Sequence, residues 1–292
     1  MNYPKISIVT PNYNNAKFLE QTIVSVLSQH YPNLEYIIID GGSTDGSVDI
    51  IKKYEHQLAF WLSEPDNGVY DAVKKGFEHS TGDIMAWIGS DDIYHCGALF
   101  VVAEIFSTFH DVSWLSGCPT VYDELGRTVR VVEGEYISRL NLLMCNCKQY
   151  IQQESTFWRR SLYDKAGGVK TDYRLAGDFD LWMRFSRYEK RYVVNALIGG
   201  FRKRDGQLSK NVDDYWKEVS SIISKEPVSK DELKGMRNVH FRKSLVAILK
   251  VFGLFNWQGF SSVFNMKHEA EEKMSKISFD FDKKEFVKGI RG

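Results

Sequence analysis

At 292 residues, with 43% hydrophobic and 14% aromatic side chains and only 6 prolines, the chain can bury a substantial core and is too apolar to be collagenous, low-complexity or wholly disordered. Lysine plus arginine (38) equals aspartate plus glutamate (38), so no global field draws the protein onto nucleic acid. Four cysteines make no disulfide framework at this length, and Cys145 and Cys147 sit too close for the usual zinc spacing, so a reducing compartment is expected.

In chain order, Ile6-Ser7-Ile8-Val9-Thr10 is a β-branched run ended by Pro11 and an asparagine-rich turn, which predicts a buried strand entering a loop. Leu19, Ile23, Val26 and Leu27 then fall at i, i+4, i+7 and i+8, the stripe of a helix packed on a sheet, over 16–28. Tyr36-Ile37-Ile38-Ile39-Asp40 predicts a second strand broken by Gly41-Gly42, with Ser43-Thr44-Asp45 capping a helix through Ile51. A third strand is expected over 59–62, a third helix over 68–79, and a fourth strand over 83–88 that ends in Gly89-Ser90-Asp91-Asp92. The alternation predicts an α/β fold with a doubly wound, Rossmann-like, mainly parallel sheet.

Beyond Leu99 the signals loosen into strand-like pieces around Trp114 and 129–132, helical pieces over 161–166 and 179–187, and a last strand near 191–197. After Asn211 polar, helical residues replace β-branched ones, so the expected division is a catalytic domain over 1–212 and a helical extension over 213–292. The amino terminus runs from Met1 to Lys5 straight into the first strand without the regions of a secretory signal, and no 18 apolar residues run uninterrupted. A cytoplasmic protein, soluble or peripheral on the membrane, is expected.

Ligands of such sheets bind in the crevice beyond the carboxyl ends of the strands, where Asn12, Asp40 and Asp91-Asp92 all emerge. Two adjacent carboxylates repel one another unless a cation sits beside them, and hard oxygen ligands suit Mn²⁺ or Mg²⁺ held together with substrate phosphates. A plain turn with one aspartate capping the next helix competes with that reading at about even odds. Asp40 is placed to accept from a base or a ribose hydroxyl, although an Asx turn before Gly41 would look the same. No Gly-x-Gly-x-x-Gly follows the first strand and no P-loop occurs, which weakens dehydrogenase and ATPase readings. In Gly177-Asp178-Phe179-Asp180 one carboxylate can cap the helix while the other serves as a general base.

Taken in order, Ser7-Ile8-Val9-Thr10-Pro11-Asn12-Tyr13-Asn14, Ile39-Asp40-Gly41-Gly42-Ser43-Thr44-Asp45-Gly46-Ser47, Ser63-Glu64-Pro65-Asp66-Asn67-Gly68-Val69-Tyr70-Asp71-Ala72 and Gly89-Ser90-Asp91-Asp92 resemble the family 2 inverting glycosyltransferases of the GT-A fold. Gln153-Glu154-Ser155-Thr156-Phe157-Trp158 and Asp178-Phe179-Asp180-Leu181-Trp182 extend the likeness, which covers roughly residues 5–210. The resemblance implies a nucleotide-sugar donor, most commonly a UDP-sugar, with Asp40 on the base or ribose and Pro11, Asn12 and Tyr13 walling the nucleoside. Asp71 and Lys75 count with the donor side. Asp92 is the first choice for the metal, Asp91 for the ribose or the metal, and Asp178 falls at the catalytic base. The implied reaction is a single in-line displacement that moves a sugar to a hydroxyl of a growing glycan, free or lipid-linked.

Two departures stand out. Arg204 replaces a histidine common in the pattern Phe-Arg-x-His-x-x-Gln-x-Ser, and as an arginine it would neutralise the diphosphate directly or simply lie exposed. Lys74 stands where relatives often have asparagine. They motivate the alternative of a non-catalytic nucleotide-sugar-binding or scaffold protein on the same fold. A sugar nucleotidyltransferase, the other rival, should open with a glycine-rich basic loop where this chain has Pro11-Asn12-Tyr13. Between Glu232 and Glu269 no acidic residue occurs, and Phe241, Leu245, Ile248, Phe252 and Phe255 share one helical arc opposite Lys243 and Lys250. Peripheral membrane association through 234–260 and packing on the catalytic domain are equally open for that stretch. Trp87, Trp158 and Trp182 are read as core or as sugar-stacking residues, core being the commoner fate.

Overall fold

The computed structural model describes residues 3–145, 150–251 and 275–289. Its first half alternates as the periodicity predicts: β1 (Ile6–Asn12), α1 (Ala16–Leu27), β2 (Leu34–Asp40), α2 (Ser47–Tyr54), β3 (Phe60–Ser63), α3 (Val69–Glu78) and β4 (Ile84–Trp87). The strand expected to stop at Pro11 continues to Asn12, in register with Asp40 of β2. Val9 accepts from Ile88 on the β4 side and Asn12 accepts from Gly41 on the β2 side. By alternation the missing N–H of Pro11 faces the β4 side, where pairing has already ended at Val9, so no ladder bond is lost.

The looser half supplies β5 (Ile93–Tyr94), α4 (Ala98–Thr108), β6 (Trp114–Ser116), β7 (Thr120–Tyr122), β8 (Thr128–Val131), α5 (Arg139–Leu143), β9 (Thr156–Arg159), α6 (Arg160–Lys165), α7 (Gly177–Phe185), β10 (Tyr192–Val194) and β11 (Gly199–Arg202). The chain then forms α8 (Val212–Lys225), α9 (Lys230–Val251), β12 (Lys276–Asp280) and β13 (Glu285–Lys288). Among the described residues a nine-stranded sheet runs β13-β12-β10-β6-β9-β4-β1-β2-β3, and a small sheet runs β5-β11-β7-β8. In the large sheet β9 is antiparallel to β4 and β6, and β13 to β12, while the remaining pairs are parallel.

Helices cover both faces. Ile6, Ile8 and Ile38 pack with Leu19, Ile23, Val102 and Phe106 on one side. Val9, Ile37 and Ile39 pack with Val73, Phe77, Leu181, Phe185, Val219 and Ile222 on the other. The period-2 alternation of β1 and β2 thus divides one apolar run between two cores. Trp87, Trp158 and Trp182 belong to the second core: all are buried, and Trp182 stacks between Trp87 at 5.7 Å and Trp114 at 5.6 Å between ring centroids. Their faces meet one another rather than a sugar.

The carboxy-terminal stretch departs from the expected helical extension. Val219 and Ile222 of α8 are buried in the second core, and Glu226 pairs with Arg139 and Arg187. β12 then pairs in parallel with β10, so residues beyond 212 complete the main sheet. A strand at an open sheet edge leaves unpaired backbone groups, and the β12–β13 hairpin meets those of β10. Among the described residues no helix is long and apolar enough to cross a membrane. Phe241 is exposed, and the other side chains of the expected apolar arc, with Lys243 and Lys250, lie outside the described residues.

Candidate active site

The ends of β1 and β2 build a polar floor around Asp40. Its Oδ1 accepts from Asn12 Nδ2 at 2.6 Å and Ser43 Oγ at 2.5 Å, and its Oδ2 from Ser63 Oγ at 2.6 Å and the Ser43 N–H at 2.9 Å. Burial alone would raise the carboxyl, but these bonds win and hold it below its ordinary range, so it stays an anion and an acceptor. Beside it Asp45 joins two helix starts, accepting from Ala16 N at 2.8 Å and Ser47 N at 3.0 Å. A side chain at Gly41 would meet Asp66 Oδ2 at 2.7 Å, and only a bare Cα lets that aspartate approach.

Pro11 and Asn12 are buried beside Asp40, while Tyr13 is 65% exposed at the rim. Asp71 accepts from the Asn67 N–H and pairs with Lys75 at 3.4 Å, and Lys75 also holds Glu64 at 3.0 Å, next to the end of β2. Lys74 is exposed on the neighbouring helix position and takes no part in this network.

The second carboxylate group lies where β4 leaves the sheet. Neither Asp91 nor Asp92 caps the following helix, since α4 starts after Gly97, which removes the plain capping reading of the pair. Asp92 is buried, with Oδ1 accepting from the Arg202 N–H at 2.9 Å. Burial, and then the neighbouring Asp91 and Glu154, push its carboxyl well above the ordinary range. Asp91 Oδ2 accepts from Arg204 Nε at 2.6 Å, and Arg204 lies over the Phe18 ring at 5.3 Å. Arg204 is therefore held in the site and is not a surface arginine.

These contacts leave Asp91 Oδ1 and Asp92 Oδ2, which converge above Gly89: a Cβ there would lie 3.2 Å from the first and 2.8 Å from the second. Two hard oxygens facing one cradle, one of them on a carboxyl that burial disfavours as an anion, fit a divalent cation such as Mn²⁺ or Mg²⁺. Among the described residues no cluster of three or more His, Cys, Asp or Glu could hold a metal, so substrate and water oxygens would complete the coordination.

Glu154, in the turn before β9, is buried with Oε1 unpartnered, and burial pushes its carboxyl up to about 8. Asp178 lies in the first turn of α7, half-buried, and burial pushes it up to about 6 against the pull of bonds from the Phe179 N–H at 2.7 Å and Tyr70 Oη at 3.2 Å. Both of those bonds go to Oδ1. Asp180 turns away to pair with buried Arg184 at 2.6 Å, so the structure separates the two aspartates into one structural and one available carboxylate. Between the Asp178 loop and the loop tied to Asp91 runs a cleft of about 680 Å³, lined by Arg174, Leu175, Gln207, Leu208, Lys210 and Glu218 among others.

Sequence reasoning passed over Glu154, Tyr70 and Arg202. Arg202 is fully buried, donating to the carbonyls of Asp91 and Glu124 and to Gln21 Oε1, and it braces the aspartate turn from the small sheet. A charged residue ending the apolar run Gly199-Gly200-Phe201 was the available signal.

The chain belongs to glycosyl transferase family 2, whose model matches residues 7–167. It is 33% identical over 200 residues, 68% of this chain and 75% of the relative, to an uncharacterised glycosyltransferase of Mycobacterium tuberculosis. It is 29% identical over 185 residues, 62% of this chain and 69% of the relative, to a PGL/p-HBAD biosynthesis glycosyltransferase of Mycobacterium bovis. The fold is similar to that of S. aureus TarS in complex with UDP-GlcNAc, with a TM-score of 0.63 and 18% identity over 82% of this chain and 73% of that one. A mannosyltransferase of Pyrobaculum calidifontis in complex with GDP-Man and Mn²⁺ superposes with a TM-score of 0.61 and 15% identity over 81% of this chain and 68% of that one. The GT-A architecture expected from the motif order is thereby shown.

Proposed function

We propose that this family 2 glycosyltransferase moves a sugar from a nucleoside-diphosphate donor, with UDP as the nucleotide, to a hydroxyl of a glycan with inversion at the anomeric carbon. The observation that carries the reading is the convergence of Asp91 Oδ1 and Asp92 Oδ2 on the cradle above Gly89. The neighbours crystallised with UDP-GlcNAc, and with GDP-Man and Mn²⁺, support it.

Asp40, buried with four donors already on it, would hold Asn12, Ser43 and Ser63 as the floor under the base or ribose, with Pro11, Asn12 and Tyr13 as the wall and the Asp71–Lys75 pair at the helix facing it. Asp91 and Asp92 would hold the divalent cation, which supplies charge neutralisation of the departing diphosphate. Arg204, already over Phe18 and beside Asp91, adds a fixed positive charge to the same side. Asp178 takes the proton of the acceptor hydroxyl on Oδ2 as the new oxygen–carbon bond forms and the donor's carbon–oxygen bond breaks, its electron pair leaving on the diphosphate. An anion at Asp178 is required, and its ordinary carboxyl value raised to about 6 makes it a stronger base that is still ionised near neutrality.

The test is a thermal-shift and nucleotide-release panel of UDP- and GDP-sugars with Mn²⁺, repeated with chelator. Stabilisation and nucleotide release that need the metal support the reading, because a ligand that binds only the folded state raises its stability. Binding without release from any donor, with or without glycan acceptors, would replace it by the non-catalytic binding protein.

A further inference from the structure

The helix that presents Asp178 begins without a cap of its own. Its N-cap position is Ala176, which has no side-chain oxygen, so the amide groups arriving there need another acceptor. Glu218 of α8 supplies it. Its carboxylate accepts from the Arg174 N–H at 3.1 Å, the Leu175 N–H at 2.8 Å and the Ala176 N–H at 2.8 Å. An anion at this end also meets the positive pole of the helix. α8 is anchored in turn by Val219 and Ile222 in the core and by Glu226 on Arg139 and Arg187, so Glu218 stands on a fixed support.

The clamp leads directly to the base. Leu175, held through its N–H by Glu218, offers its carbonyl to Tyr70 Oη at 3.0 Å, and the same phenol lies 3.2 Å from Asp178 Oδ1. Every link joins part-buried groups.

We propose that Glu218 is the positioning residue of the catalytic base: it grips the three amides ahead of α7 and, through Leu175 and Tyr70, fixes the orientation of Asp178. This rests on the general-base reading of Asp178 and adds to it a second residue, both lying beyond the span that the family model matches. The groups facing Asp178 are Tyr70 from α3, Glu218 from α8 and Glu154 from the turn before β9, besides the Phe179 N–H of its own helix. The charge of Glu218 contributes to the upward displacement of Asp178.

The experiment compares wild type, Glu218→Gln, Asp178→Asn and the double variant in metal-loaded nucleotide release with acceptor, with pH–rate profiles and thermal melts. A displaced base of this kind costs of the order of 10–100-fold in kcat, so Glu218→Gln should lose that much with donor KM within about twofold. Its acid limb should move to lower pH than the wild-type limb near 6, because a negative neighbour has been removed. In the Asp178→Asn background the same substitution should have almost no further effect, since both changes disable one device. Wild-type kcat and an unmoved acid limb in Glu218→Gln would overturn the proposal, as would a full additional loss in the double variant. A lowered melting temperature with an unmoved limb would reduce Glu218 to scaffolding. Asp178→Asn with undiminished turnover would instead sink the base reading itself, which separates the two failures.

Discussion

The two halves of the candidate site treat the same side chain in opposite ways. At the ends of β1 and β2, Asp40 receives four hydrogen bonds and is held below the ordinary carboxyl range. Beyond β4, before β9 and at the head of α7, Asp92, Glu154 and Asp178 are short of donors and burial pushes each of them up. A carboxylate with all its lone pairs satisfied is a fixed piece of architecture. One that is desolvated and under-satisfied is a reservoir of unfavourable charge, relieved when a cation or a proton arrives. On the proposed reading, the first half recognises the donor and the second responds during the reaction.

The most severe way to break that contrast is Asp178→Asn. General-base catalysis is worth about 10²–10⁴-fold, so turnover should fall by that order while donor affinity and melting temperature stay close to wild type. Undiminished turnover would move Asp178 to the recognising half. In the wild type, kcat should rise with pH through about 6, where Asp178 loses its proton, and fall below it; a profile flat from pH 5 to 8 would contradict this.

Next in size, Asp92→Ala should remove about 10²-fold of Mn²⁺-dependent donor affinity, because lost charge neutralisation is worth several kcal/mol. Titration calorimetry with and without chelator reads it directly, and equal donor affinity in both would detach Asp92 from any metal. Asp40→Ala belongs to the other half. It strands the Asn12, Ser43 and Ser63 donors, so about 1–3 kcal/mol of stability should go. Donor affinity should fall with it, whether or not metal is present. A metal-dependent effect of this variant would blur the two halves.

The smallest effect is expected at Glu154. Its folded value of about 8 lies above the ordinary 4.5, so between those pH values the native state holds the proton that the unfolded chain has lost, and stability declines as pH rises. Glu154→Gln should therefore raise the melting temperature of the chelated protein by a few degrees at pH 8 and much less at pH 5. An equal gain at both pH values would show that Glu154 does not titrate in that window.

Much of this was legible in the chain. The alternation from Ile6 to Ile88, the acidic residues at strand ends and the order of the motifs lead to a GT-A sheet with Asp40 and Asp91-Asp92 at one crevice. Local periodicity and turn chemistry reach that far because each signal spans only a few neighbouring residues. The open choices were those that depend on what stands opposite. Asp178 and Asp180 are indistinguishable by spacing, and Arg184 settles them by pairing with Asp180. Arg204 could have been a surface residue, and Phe18 with Asp91 draws it into the site.

The sequence alone determined the fold class, the crevice and the acidic inventory, because the periodicity of apolar residues dictates which faces are buried and where strands must end. Only the tertiary structure decided which carboxylates are satisfied and which are strained. It also showed that residues beyond 212 complete the sheet through β12 and hold the amides ahead of α7 through Glu218. Desolvation and long-range hydrogen bonds join residues far apart in the chain, and no local pattern carries that information.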